Sequence, residues 1–178
     1  MQAKQIQCIS SGWANLVSRA IHLVLARQEV SYAQLANELS RIGITESARS
    51  VQGKVQRGTF KFTFFLQAIV AAHWSPLPSN WKAALSLEER SWEYRAAELL
   101  MGELALQPWV GWQSLSRRLE EDIGIHLPPD ALGVEIEEGR FTAALYFQCA
   151  TVCHFDGIST FLDTLSIYEV IKACRSAS

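Results

Sequence analysis

Apolar residues recur at three- and four-residue spacings along most of the chain, and proline is confined to the breaks between these runs. That period marks one face of an α-helix, so the pattern predicts an all-α fold. In the first half, Leu16, Ala20, Leu23 and Val24 form one stripe of a helix over about residues 14–27. Ser31 is placed to cap a second helix, whose Leu35, Ala36 and Leu39 face inward before Gly43 ends it. Thr45 is placed to cap a third, over about 46–57, with Ala48, Val51 and Val55 buried and Gly58 as its stop. A fourth, over about 61–73 and rich in Phe and Leu, closes the bundle.

The same plan is then written again. Val55-Gln-Arg-Gly-Thr-Phe runs parallel to Ile136-Glu-Glu-Gly-Arg-Phe at an offset of 81 residues, which also matches Gln67 with Gln148 and His73 with His154. Upstream, Ile42-Gly43-Ile44 meets Ile123-Gly124-Ile125. One residue of slippage brings Tyr32, Leu35 and Leu39 opposite Trp112, Leu115 and Leu119. The chain therefore reads as a tandem duplication of a helical bundle, with a helix-turn-helix-like motif in each copy, over residues 10–80 and 86–178. Pro76 and Pro78 oppose helix continuation in the linker, and Ser86-Leu-Glu-Glu89 has the form of a capping box opening the second unit. Helices are expected there over about 94–106, 113–122, 130–138 and beyond Phe141, with a further one over about 160–173.

Composition narrows the class. The 178 residues are 49% hydrophobic, enough for a sizeable core, and no apolar run is long enough to span a bilayer. No signal-peptide core follows Met1, which points to the cytoplasm. The net charge of −2 conceals an opposition: residues 1–86 hold nine basic and three acidic side chains, and the remainder seven basic and fifteen acidic. An anionic partner suits the first half and is disfavoured by the second.

In the first copy, the second and third helices have the plan of a helix-turn-helix, whose second helix enters the DNA major groove. Turning the buried Ala48, Val51 and Val55 inward leaves Arg49, Ser50, Gly53 and Arg57 outward, with Lys54 and Gln56 at the flanks. Arg49, Ser50, Gln52, Lys54, Gln56 and Arg57, with Lys61 beyond the turn, are the candidate DNA contacts. Arg can grip guanine or phosphate, Gln can pair with adenine, and Lys61 can reach the backbone. The second copy inverts these charges: Asp130, Glu135 and Glu138 stand opposite Arg49, Lys54 and Arg57, and Glu120-Glu121-Asp122 extends the acidic surface. That copy suits a protein contact.

The segments Ser31-Tyr-Ala-Gln-Leu-Ala36, Ile42-Gly43-Ile44 and Val51 to Phe65, with Arg57-Gly-Thr-Phe60 and Phe64-Phe65-Leu66-Gln67, carry a resemblance. The sequence resembles a bacterial family of small uncharacterised proteins built on a helix-turn-helix of phage-repressor type. The resemblance covers roughly 60 residues of the first unit and, more faintly, the second. It implies a DNA-binding or regulatory module. The family pattern favours Asn or Arg near Ser50, Gln52 and Gly53, where this chain departs.

Other chemistry is sparse. Cys149, Cys153 and His154 could begin a metal site if Cys8 or Cys174 completed it, but thiols in an apolar helix are better read as small hydrophobes, and no metal or cofactor is expected. His73 and His154 lie near helix carboxyl ends, where capping or packing accounts for them. The six tryptophans (Trp13, Trp74, Trp81, Trp92, Trp109, Trp112) read as anchors between the units. Phosphate-binding glycine loops, His-Glu-x-x-His strings and nucleophile elbows are lacking, so no enzyme is expected. The reading is a cytoplasmic DNA-binding regulator whose acidic second unit packs against the first or contacts a protein. The alternative is a helical protein-interaction adaptor, and internal symmetry leaves homo-oligomers open.

Overall fold

A computed structural model describes residues 2–75 and 77–176. Pro76, one of the two linker prolines, lies outside the described residues, as do Met1 and the last two residues of the expected second unit. The described residues are all-helical: α1 Gln2–Arg27, α2 Tyr32–Arg41, α3 Ala48–Arg57, α4 Phe62–Ala71, α5 Ser79–Leu85, α6 Trp92–Ala105, α7 Trp112–Arg118, α8 Pro129–Glu137, α9 Ala143–Val152 and α10 Thr164–Ser176. A π-turn, Leu119–Ile123, extends α7, and a 3₁₀ turn, Asp156–Thr160, precedes α10.

The second half of α1 with α2, α3 and α4 is repeated as α6, α7, α8 and α9. In each copy the turn after the third helix runs hard against the first. A Cβ on Gly58 would lie 1.8 Å from the carbonyl oxygen of Ala14, and one on Gly139 would lie 1.9 Å from that of Glu93. Both glycines also adopt left-handed backbone (φ 64° and 65°), so only a residue without Cβ fits at either turn.

The two copies meet through an antiparallel bridge between Lys61 and Thr142. The Phe62 amide donates to the Phe141 carbonyl (3.0 Å), and the Ala143 amide donates to the Phe60 carbonyl (3.1 Å). These residues are related by the 81-residue offset, so each bond is the symmetry mate of the other. The pairing is that of an isologous dimer interface enclosed within one chain. Behind the bridge, Phe62 stacks on Tyr146 (centroids 4.2 Å apart) and on Phe141 (5.4 Å), with Trp81 edge-on at 5.8 Å.

Several sequence expectations are corrected. The third helix is capped by Ser47, whose side chain accepts from the Ser50 amide, rather than by Thr45. Ser86 is the C-cap of α5, and Ser91 opens the second unit by accepting from the Tyr94 amide. The linker is itself partly helical, with Trp81 fully buried. Helix α1 begins well before residue 14, and its early turns face α10: a Cβ on Gly12 would meet Val170 Cγ1 at 2.6 Å. Of the tryptophans, Trp13, Trp74 and Trp81 are core residues, Trp92 and Trp112 are half-buried, and Trp109 is 70% exposed. No described helix is long and apolar enough to cross a membrane.

Candidate nucleic-acid interface

Helix α3 owes its orientation to three local features. Ser47 caps its start, Val51 and Val55 are fully buried beneath it, and Gly58 turns the chain away. Arg49, Ser50, Gln52, Gln56 and Arg57 are consequently exposed, whereas Lys54 and Gly53, the latter expected outward, are half-buried.

Lys54, Arg57 and Lys61 line a single cleft of about 400 Å³, joined by Thr59, Thr63 and Gln67. Two of the cations are already engaged. Lys54 Nζ pairs with Glu46 and lies 5.1 Å from the centre of the Phe64 ring, and Lys61 Nζ donates to the carbonyl of Arg140. Arg49 and Arg57 have no acidic partner among the described residues. Arg57 and Lys61, beside hydroxyl and amide donors, are suited to an anionic oxygen such as a phosphate, while Glu46 offsets the charge of Lys54.

Glu46 is the residue that the helix rotation did not single out. It also accepts from the Ser50 hydroxyl (2.9 Å), so one carboxylate orders two candidate contacts. The Glu46, Ser50, Lys54 series, spaced by four, was the available signal.

At the matched positions of the second copy, Asp130, Glu135, Glu137 and Glu138 are all exposed on or beside α8. Glu138 pairs with Arg140. Glu120 lies 3.3 Å from His126, and Arg175 of α10 donates to the carbonyls of Glu121 (3.2 Å) and Asp122 (2.8 Å), closing the π-turn.

The cysteines do not converge on the candidate metal arrangement. Cys149 in α9 and Cys153 at its C-cap are buried, and the described residues contain no group of three His, Cys, Asp or Glu able to hold a metal. Burial raises the Cys149 and Cys153 thiols above their ordinary range, and burial beside Cys8 raises Cys174 to about 12. His73 and His154 both close helices with left-handed backbone (φ 54° each), and His73 Nε2 lies 3.5 Å from Glu38.

Comparison with known proteins agrees with the duplication. The fold defines a protein of two like helical units, and the family model described as Domain of unknown function (DUF6471) matches each of them, over residues 13–77 and 92–158. The chain belongs to this family and carries the domain twice. The early turns of α1, and all of α5 and α10, lie outside the matched residues. No curated protein and no solved structure matches the chain.

Proposed function

We propose that the protein is a non-enzymatic DNA-binding regulator that grips the duplex with its first copy only. In this reading α2 supports and α3 recognises, as in a helix-turn-helix. Arg49, Ser50, Gln52 and Gln56 face the groove, while Lys54, Arg57 and Lys61 take the phosphate backbone. The observation that carries it is the cleft: three cations and three neutral donors gather beside α3, and the positions matching Lys54 and Arg57 in the other copy are glutamates. Like charge keeps α8 off the phosphates, leaving the acidic copy to pack or to meet a protein.

The test is fluorescence anisotropy on random duplex DNA across a salt series. Affinity is expected to fall as salt rises, with Arg57→Ala and Lys61→Ala each weakening binding and lowering the salt slope by about one. Glu138→Ala is expected to leave both unchanged. Absence of binding at low salt, or equal effects from all three substitutions, overturns the proposal.

The exposed connection between α6 and α7 favours a second reading, a protein-interaction adaptor, because Leu106 is 72% and Trp109 is 70% exposed there. A stoichiometric protein partner that is lost with Trp109→Ala and kept with Arg57→Ala supports it.

A further inference from the structure

A cavity of about 570 Å³ lies between the early turns of α1, the Gly58–Thr59 turn, the Gly124–His126 turn and the start of α9. Its volume falls within the range of small-molecule sites. On its wall is Gln148, which is 7% exposed and makes no side-chain hydrogen bond among the described residues. The Trp74, Trp81 and Tyr146 polar atoms are sealed in the core. Gln148, by contrast, lines the cavity. A carboxamide so placed has both a donor and an acceptor to satisfy.

The rest of the lining restricts what can satisfy it. Ile6 and Ile125 supply apolar surface, and the Thr142 hydroxyl already accepts from the Leu145 amide (3.1 Å). The ionisable side chains among the described lining residues, Glu120 and His126, lie 3.3 Å apart. The Glu120 carboxylate on this wall disfavours an anionic ligand. The matching Gln67 opens instead into the cationic cleft, and the α1 turns that roof Gln148 precede the family match. The site around Gln148 is thus formed in part by residues outside the matched domain.

We propose that this cavity binds a small neutral molecule with a planar body and a lactam edge, whose N–H and C=O pair with the carboxamide of Gln148. The proposal is independent of DNA binding. The experiment is calorimetric titration of the full chain with 2-quinolinone, a bicyclic lactam, and with quinoline, its counterpart in shape without the amide. The lactam is expected to bind saturably and at least about tenfold more tightly than quinoline. Gln148→Leu is expected to erase that preference, and Ala144→Leu, which fills the cavity from α9, to abolish binding of both. No lactam binding at millimolar concentration, equal affinity for the two probes, or unchanged binding by folded Gln148→Leu overturns the proposal. The comparison of probes needs no substitution, so it decides the question even where a variant fails to fold.

Discussion

The amide of Phe62 lies 3.0 Å from the carbonyl oxygen of Phe141, and the ring of Phe62 stacks against that of the same residue. One residue therefore serves both, its backbone pairing the copies and its ring the aromatic core behind the bridge. Phe62→Ala removes a fully buried ring that also touches Tyr146 and Trp81. It is expected to cost about 3–5 kcal/mol. In urea denaturation both copies should lose structure in one transition, because each contributes half of that core.

Gly58→Ala and Gly139→Ala are expected to be destabilising to a similar degree, by about 3 kcal/mol or more each, since left-handed strain is compounded by collision with a backbone carbonyl. Thermal unfolding of the two variants checks it. Gly43→Ala is the comparison: its φ is 87°, but a Cβ there meets nothing within 4 Å, so only the strain of about 1–3 kcal/mol remains.

These glycines also show what the sequence disclosed. Gly58 was legible as a helix stop, and its match with Gly139 in a repeat announced the duplication. The buried stripes Leu35–Leu39 and Val51–Val55 followed from helical period. Residues 2–12 did not, because Lys4, Gln5 and Gln7 dilute a stripe that makes sense only once α10 lies against it. Trp81 was expected as an anchor between the units and is buried, but the helix α5 that carries it was not expected, because the neighbouring prolines mark a break. In the candidate site, exposure on α3 was legible from rotation alone. The ties from Lys54 to Glu46 and from Lys61 to Arg140 were not, since side-chain pairing depends on tertiary approach.

Glu46→Gln is expected to tighten DNA binding if α3 is the contact surface. The substitution releases Lys54 from its ion pair and removes a negative charge beside the cleft. The salt slope should steepen by about one, read from anisotropy across ionic strength. Unchanged affinity would place Lys54 outside the contact.

Glu103 gives the fold a pH dependence. Burial raises its carboxyl above the ordinary range, the Asn80 amide partly offsets this, and Asp156 adds to the rise. The native state then binds the proton more tightly than the unfolded chain. Glu103 therefore contributes a loss of stability as pH rises through the window above its unfolded value. Between about pH 4 and 7, wild type should lose stability relative to Glu103→Gln, whose uncharged amide keeps a similar shape. Urea midpoints at intervals across that range supply the measurement, and parallel curves for the two proteins would discard the idea.

The Lys61–Thr142 bridge joins two copies that are already one molecule. Dilution cannot part them, and neither half waits for a collision to find its mate. A change in one copy is also not repeated in the other, as it must be when identical subunits pair. The exchange of arginine and lysine for glutamate and aspartate on a single side is a divergence open only to halves that are inherited together and altered separately.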